Sequence, residues 1–212
     1  MKTAVIFDLD GTLLNTLEDL TDAVNATLQQ FGCPSRTIDE VRAFVGTGAR
    51  NLIRKALPGN PDNPSVDEVL AAYQVYYSAH SQIKTGPYDG VLAAIREIRA
   101  QYPVAIVSNK PDGATKDLCA MYFPGVYARG ESSDCPRKPA PDMVFRAMNE
   151  IGADACIYVG DSETDVETAR NAGAKCLSVL WGFRDKACLE EAGAEYFCEN
   201  PADLLQKIEE MM

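Results

Sequence analysis

Short apolar runs that end in polar or acidic residues recur along this 212-residue chain. The first covers residues 3–7 and leads directly into Asp8-Leu9-Asp10-Gly11-Thr12, and later runs begin at Val104, Ile157 and Cys176. Runs of this length and composition, bounded by turn residues, are typical of buried strands. Apolar residues spaced by three or four positions lie between them and predict amphipathic helices.

Helical patterns fill the segment after the first strand. Apolar positions recur with a helical period over residues 17–31, and Thr37 and Ser65 each precede a Glu by three residues, the capping-box pattern that begins a helix. A further helix is predicted from Gly48 to about Leu57, followed by a polar loop with three prolines over residues 58–64. We therefore expect an all-helical cap domain over residues 15–83.

Strands alternate with helices from residue 84 onward, which indicates a parallel sheet wound by right-handed crossovers. The expected fold class is α/β, with a Rossmann-like parallel-sheet core formed by residues 1–14 and 84–212 and interrupted by the cap. Helices are predicted at about 91–100, 112–121 and 142–151 and from about 202, and further short strands at 126–128 and 196–198.

Charge and composition exclude several classes of protein, among them nucleic-acid-binding and membrane-spanning proteins. The chain has 20 Lys and Arg against 31 Asp and Glu, a net charge of −11, which argues against nucleic acid or an anionic membrane as partner. No apolar stretch reaches the ~18 residues of a membrane span. Seven scattered cysteines without a pairing pattern indicate a reducing, cytoplasmic location. The composition leaves monomer or homodimer open, and the single histidine, His80, ends a helix and is not expected to take part in chemistry.

Candidate chemistry lies where the strands end. Asp8 and Asp10 follow the first strand, and two carboxylates at a strand end can hold a cation, attack an electrophile or move a proton. The alternative is an ordinary pair of turn-forming aspartates. Ser108-Asn109-Lys110 follows the second strand and suits phosphoryl oxygens, although the segment taken alone is more typical of a strand-to-helix junction with a capping role.

Two further segments carry charged residues at strand ends. Lys138 lies in Arg137-Lys138-Pro139-Ala140-Pro141, where two prolines stiffen the turn. Asp161 and Asp165 follow the strand at 157–160 and can reach one cation, or favour a helix N-terminus through its dipole. Lys138 and Lys110 would give an acidic protein a local positive spot for an anionic substrate. The combination favours phosphoryl chemistry over capping alone.

These segments resemble the four motifs of the haloacid dehalogenase superfamily of aspartate-nucleophile phosphatases, in order and over nearly the whole chain. The first motif corresponds to Phe7–Leu13 and the fourth to Gly160–Asp165, with Ser108 and Lys138 at the positions of the second and third. The segments at 45–48, 86–91 and 108–110 are most similar to phosphoglycolate phosphatase-type members. Asn15 stands where many relatives carry Asp, which loosens the subgroup assignment.

The resemblance implies a role for each motif residue. Asp8 would attack phosphorus and form an aspartyl-phosphate, and Asp10 would protonate the leaving alcohol and then accept a proton from water. Mg²⁺ would be held by Asp8, the Asp10 carbonyl and Asp161, with Asp165 supporting these ligands. Residues expected to bind the phosphoryl oxygens are Ser108 and Lys138, assisted by Thr12 and Asn109.

A loop of the helical segment is the candidate for substrate discrimination. Gly46-Thr47-Gly48 would let the backbone approach a substrate closely, and Arg50 or Arg42 could bind a substrate carboxylate with two hydrogen bonds. The alternative is a surface loop followed by an exposed arginine.

The sequence therefore predicts a Mg²⁺-dependent phosphatase that acts on a small phosphorylated metabolite, with 2-phosphoglycolate as the leading candidate. One alternative is a β-phosphoglucomutase-like sugar-phosphate mutase, which would return the phosphoryl group to a sugar. Another is a non-catalytic phospho-receiver module, against which the inserted helices and Asp10 both count.

Overall fold

The computed structural model describes residues 2–59 and 64–212, so the loop predicted for residues 58–64 lies partly outside the described residues. The chain folds into two compact units. The sheet unit consists of the residues up to Asn15 together with Pro87–Met212, and the helical unit consists of Thr16–Gly86. The helical unit therefore begins one residue later, and ends three residues later, than the sequence predicts.

The strands form one large sheet and one small one. In chain order they are Thr3–Phe7 (β1), Leu14–Asn15 (β2), Gly86–Pro87 (β3), Val104–Pro111 (β4), Tyr127–Glu131 (β5), Ala155–Gly160 (β6), Lys175–Val179 (β7) and Tyr196–Cys198 (β8). Strands β2 and β3 pair separately, and the other six form a parallel sheet in the order β5-β4-β1-β6-β7-β8. The predicted Rossmann-like parallel-sheet fold is confirmed.

Strand β1 lies between β4 and β6, with Phe7 opposite Ile106 on one side and Val159 on the other. The chain winds from β1 outward to β4 and β5, and from β6 outward in the opposite direction to β7 and β8. The carboxyl ends of β1 and β6 therefore flank a topological switch point, where open α/β sheets bind their ligands.

Ten α-helices accompany these strands in the described residues. They are Leu17–Gln30 (α1), Ile38–Phe44 (α2), Ala49–Ala56 (α3), Val66–His80 (α4), Val91–Arg99 (α5), Asp112–Tyr122 (α6), Asp142–Ile151 (α7), Glu163–Asn171 (α8), Lys186–Glu191 (α9) and Leu204–Met211 (α10). Helix α9 was not predicted, because its six residues are too few to establish a helical period. Strand β5 is longer than the predicted three residues and extends to Glu131.

Alternate residues of β1 enter two apolar clusters on opposite faces of the sheet. Val5 and Phe7 join a cluster with Ile95 of α5, and Ala4 and Ile6 join one with Met143 of α7. A strand buried on both faces reads as a continuous apolar run, which is why residues 3–7 could be recognised in the sequence. The two layers fix β1, and with it the segment that follows.

Local capping organises the helical unit. Thr37 and Ser65 form the capping boxes that the sequence predicts, with Glu40 and Glu68 as their partners. Asp19, in the first turn of α1, is buried and accepts hydrogen bonds from the backbone N–H groups of residues 83–85. These bonds tie the last residues before β3 to α1.

Within the described residues, no helix combines the length and the apolar character that crossing a membrane would require.

Candidate active site

Asp8 is the first residue after β1 and its side chain is buried. Its backbone N–H donates to the carbonyl of Val159 on β6, 2.9 Å away, so the sheet pairing continues through this residue. Its carboxylate oxygen Oδ1 lies 2.8 Å from the ammonium nitrogen Nζ of Lys138, an ion pair in which both side chains are almost fully enclosed. Asp8 is therefore a rigidly held carboxylate beside a fixed positive charge.

Lys138 is held at both its backbone and its side chain. The Asn109 amide donates to the Lys138 carbonyl at 3.0 Å and accepts from the Lys138 backbone N–H at 2.8 Å. The ammonium group donates to Asp165 Oδ1 at 2.7 Å and to the hydroxyl of Tyr158 at 3.0 Å, in addition to its ion pair with Asp8. The turn between β5 and α7 thus places Lys138 at the edge of the sheet, beside Asp8, Asp165 and Tyr158.

Asp161 follows β6 and its carboxylate accepts two hydrogen bonds. Thr12 Oγ1 donates to Oδ1 at 2.9 Å, and the backbone N–H of Phe183 donates to Oδ2 at 2.7 Å. The surrounding backbone packs so closely that a Cβ atom added at Gly11 or Gly182 would lie 2.3 Å from an atom of Asp161. The loops after β1 and β7 therefore enclose this carboxylate, and glycine is required at both contacts.

Asp165 is fully buried in the first turn of α8. Its Oδ2 accepts hydrogen bonds from the backbone N–H groups of Asp161 and Ser162 and from the Ser162 hydroxyl, while Oδ1 accepts from Lys138 and Tyr158. Oδ1 forms an ion pair with the Lys138 ammonium group, and Oδ2 accepts three hydrogen bonds from the start of α8. These contacts orient Lys138 and the start of α8, which agrees with the expected supporting role of Asp165.

Burial and mutual repulsion shift the pKa values of these groups. Burial, with the nearby charge of Asp165, raises the pKa of Asp8 well above its ordinary value and that of Asp161 to about 7. Burial alone would lower the pKa of Lys138, but the charges of Asp165 and Asp8 outweigh it and raise that pKa. Lys138 is therefore firmly protonated, whereas one positive charge does not fully compensate the three carboxylates.

This surplus of negative charge fits a divalent cation. Oxygens of Asp8, Asp161 and Asp165 lie within 4.8 Å of one another, all three buried. Mg²⁺ binds through one or two carboxylates completed by waters and substrate oxygens, and a cation would remove the repulsion that raises the pKa values of Asp8 and Asp161. The donor set therefore fits Mg²⁺, with Asp8 and Asp161 as the carboxylates that could hold it.

Asp10 lies two residues beyond Asp8, and its carboxylate oxygen Oδ1 accepts a hydrogen bond from Lys110 Nζ at 2.8 Å. Ser108 is buried within β4, which continues to Pro111 and not only to Val107 as the sequence predicts, and its hydroxyl accepts from the backbone N–H of Lys110. The residues that follow β1 thus meet the last residues of β4. The pairing of Lys110 with Asp10 was not predicted from the sequence, which assigned Lys110 to a positive spot for the substrate.

Two residues predicted to bind phosphate form hydrogen bonds with other protein groups. Thr12 was expected to assist phosphate binding, but its hydroxyl is buried and donates to Asp161. Asn109 was expected to do the same, but its amide oxygen and nitrogen both bind the backbone of Lys138. Each side chain therefore orients a neighbouring charged residue, and direct contact of Thr12 or Asn109 with phosphate stays a prediction.

The candidates for substrate discrimination belong to the helical unit. Gly46 and Gly48 have positive φ angles of 117° and 89°, which explains glycine at both positions of the loop around Thr47. The guanidinium of Arg50 pairs through both terminal nitrogens with the carboxylate of Asp67. Because Asp67 takes the two hydrogen bonds that a substrate carboxylate was expected to take, the role of Arg50 in specificity stays a prediction.

Sequence reasoning missed Tyr158 and the segment 181–183. Trp181 Nε1 donates to the carbonyl of Thr12 at 2.9 Å, and Gly182 and Phe183 contact Asp161. A signal was present in each case: Tyr158 is a polar hydroxyl inside an apolar strand, and residues 181–183 follow a strand at the same edge of the sheet.

Comparison with known proteins agrees with this geometry. The haloacid dehalogenase-like hydrolase family matches residues 5–179. Phosphoglycolate phosphatase of Pseudomonas syringae pv. syringae is 32% identical over 98% of this chain and 78% of its own, and that of Pseudomonas fluorescens is 36% identical over 84% and 70%. A crystal structure of a candidate phosphoglycolate phosphatase from Lactobacillus delbrueckii subsp. bulgaricus has a TM-score of 0.89 and 36% identity, covering 98% of this chain and 99% of that one. On these matches and the convergent motifs, the chain belongs to the haloacid dehalogenase-like hydrolase family.

Proposed function

We propose that this protein is a Mg²⁺-dependent phosphatase that hydrolyses a small phosphomonoester through an aspartyl-phosphate on Asp8. The observation that carries the proposal is the convergence of Asp8, Lys138 and Asp161 at the carboxyl edge of the sheet. Phosphoryl transfer to a side chain requires a nucleophile and nearby positive charge. Here the Asp8 carboxylate lies beside the Lys138 ammonium group and within a few ångströms of a second buried carboxylate, Asp161.

Asp8 and Asp10 divide the bond-making and proton-transfer roles. A carboxylate oxygen of Asp8 attacks phosphorus as the bond from phosphorus to the alcohol oxygen breaks, and Asp10 gives that oxygen a proton. Water then attacks the phosphorus of the aspartyl-phosphate, Asp10 accepts a proton from the water, and the bond to Asp8 breaks to release phosphate. General acid–base catalysis of this kind contributes roughly 10²–10⁴-fold to the rate.

Lys138 and Ser108 would bind the phosphoryl oxygens. Lys138 is protonated, immobile and 2.8 Å from the attacking carboxylate, so it can neutralise charge on the phosphoryl group without rearrangement. Ser108 lies in the second half of β4, the strand beside β1, with its hydroxyl already oriented by the backbone N–H of Lys110. Bound Mg²⁺ would supply charge neutralisation of the transferring phosphoryl group, held by Asp8, Asp161 and the Asp10 carbonyl.

The leading substrate is 2-phosphoglycolate. The support is the name of the two Pseudomonas relatives, which match at 32% and 36% identity. In this proposal the helical unit acts as the cap of the active site, and the loop 46–48 with Arg50 discriminates between esters. We further propose that the protein works in the cytoplasm, as a monomer or homodimer, and needs neither nucleic acid nor membrane.

A panel of phosphate esters tests the proposal. Phosphate release from 2-phosphoglycolate, glycerol phosphate, sugar phosphates and p-nitrophenyl phosphate is measured with Mg²⁺ and with EDTA. We expect Mg²⁺-dependent release that is abolished by Asp8→Asn and kept by the exposed control Asp117→Asn. Flat, metal-independent release across the panel, or full activity of Asp8→Asn, would overturn it.

The mutase alternative predicts a different fate for the phosphoryl group. Turnover in ¹⁸O-labelled water places the label in free phosphate if water attacks the aspartyl-phosphate. Transfer to a second position of a sugar phosphate, without label and without free phosphate, would instead support a β-phosphoglucomutase-like reaction.

A further inference from the structure

Lys110 is a buried lysine whose charge is directed at Asp10. Its side chain is 2% exposed, and its Nζ lies 2.8 Å from Oδ1 of the Asp10 carboxylate, which is itself 13% exposed. Enclosing an ammonium group is costly unless a paired carboxylate compensates it. A lysine serving only as a general attraction for anions would not need this degree of burial.

The backbone of Lys110 is fixed as firmly as its side chain. Its N–H donates to Ser108 Oγ at 3.2 Å, and its carbonyl accepts from Thr115 Oγ1 at 3.3 Å. A Cβ atom added at Gly130 on β5 would lie 2.5 Å from the same carbonyl oxygen, so the neighbouring strand packs directly against it. Lys110 therefore extends its ammonium group toward the loop after β1 from a rigid strand end.

We propose that Lys110 is the positioning residue of Asp10 and that it suits the enzyme to phosphate esters of unactivated alcohols. This role rests on the proposed phosphatase function. By holding Oδ1, Lys110 leaves Oδ2 to carry the transferred proton. As that proton moves to the oxygen leaving phosphorus, the carboxylate that forms on Asp10 stays paired with the ammonium group. Charge-assisted hydrogen bonds of this kind are stronger than neutral ones.

The proposal predicts a dependence on the leaving group. An alkyl ester expels a strongly basic alkoxide and needs the proton from Asp10, whereas p-nitrophenyl phosphate expels a stable phenolate and does not. The readout is kcat/KM, which reports the steps up to release of the alcohol or phenolate and leaves out the later attack of water, in which Asp10 acts on the same intermediate for every ester. Lys110→Met should therefore lower kcat/KM with glycerol phosphate or 2-phosphoglycolate by about 10- to 100-fold, the order expected for losing a hydrogen bond to a charged group. The loss of kcat/KM with p-nitrophenyl phosphate should be about threefold or less.

The ratio of the two activities in one preparation is the decisive readout, because any fraction of misfolded protein cancels from it. Lys110→Arg should restore the ratio toward that of the wild type, since the positive charge is retained. Lys116→Met is the matched control: Lys116 is exposed on α6, pairs with Asp112, and should not alter the ratio. An equal loss on both kinds of ester in Lys110→Met would overturn the proposal, because it would indicate phosphate binding or folding instead.

A double-mutant cycle tests whether Lys110 acts through Asp10. Asp10→Asn alone should reproduce the selective loss of kcat/KM on alkyl esters, and adding Lys110→Met should lower it little further, because the two residues work as one unit. Losses that multiply independently would overturn the positioning role. If wild-type protein hydrolyses neither kind of ester, the phosphatase proposal itself fails, and this role with it. If the wild type is active but Lys110→Met leaves the ratio unchanged, or the double-mutant cycle shows independent losses, only the positioning role of Lys110 is rejected.

Discussion

Raising the pH without Mg²⁺ should destabilise the protein through the buried carboxylate of Asp161. Burial and the charge of Asp165 raise the pKa of Asp161 to about 7 in the folded protein, whereas in the unfolded chain its pKa has its ordinary value near 4. A group with a raised folded-state pKa contributes stability below its unfolded pKa and loses it as the pH rises through the folded one. The loss should therefore occur between about pH 4 and pH 7.

The size of the effect follows from the same shift. Moving one carboxyl pKa from 3.8 to about 7 corresponds to about 4 kcal/mol of unfolding free energy. Asp8 shifts in the same direction and interacts with the same charges, so the two groups share part of this energy and about 2–4 kcal/mol is a reasonable range for Asp161. For a chain of this length, that corresponds to roughly 5–15 °C in Tm.

Thermal unfolding at about pH 4 and about pH 8, with EDTA or with Mg²⁺, measures the effect. We expect Tm to fall with pH in EDTA and to fall less with Mg²⁺, because the metal binds the ionised carboxylates and offsets their repulsion. Asp161→Asn should reduce the fall in EDTA, and Asp117→Asn should not. The same fall in Tm for Asp161→Asn and wild type, or equal stabilisation by Mg²⁺ at both pH values, would contradict this prediction.

Three further substitutions test individual contacts. Tyr158→Phe removes a hydroxyl that bonds Lys138 and Asp165, so unfolding free energy should drop by about 1–3 kcal/mol in denaturant titrations, and kcat should fall more than KM changes; unchanged stability would contradict this. Asn109→Ala breaks two bonds to the Lys138 backbone and should lower kcat by about tenfold or more, whereas an effect on KM alone would indicate direct substrate contact. Asp10→Asn should lower alkyl ester turnover by about 10²–10⁴-fold, and undiminished turnover would contradict its acid–base role.

The apolar runs and the polar residues that follow them were sufficient to predict the parallel sheet and the edge at which the charged residues lie. The run at residues 3–7 is apolar throughout because β1 is buried on both faces, and parallel strands necessarily bring their carboxyl ends to one edge. Asp8 and Asp161 follow neighbouring strands of that sheet and Ser108 lies toward the carboxyl end of a third, so the topology alone brings them to the same edge. Lys138 required the family resemblance, because one lysine in a proline turn has many explanations.

The partners of these residues could not be read from the sequence. Thr12 and Asp161 are 149 positions apart, and Asn109 and Lys138 are 29 apart. Whether a hydroxyl or amide binds a substrate or a neighbouring residue depends on ångström-scale distances that sequence patterns do not encode. Local signals such as the capping box at Thr37 succeeded because both partners lie within one turn.

Phosphorylation of Asp8 during turnover would be the direct sign of the proposed covalent mechanism. Wild-type protein is mixed with a hydrolysed ester and Mg²⁺, quenched in acid during turnover and digested, and the peptide with residues 3–12 is examined by mass spectrometry. We expect one added phosphoryl group on Asp8 in the wild-type peptide, and none in the peptide of Asp8→Asn. Turnover with no covalent intermediate, or with the phosphoryl group on another residue, would contradict it.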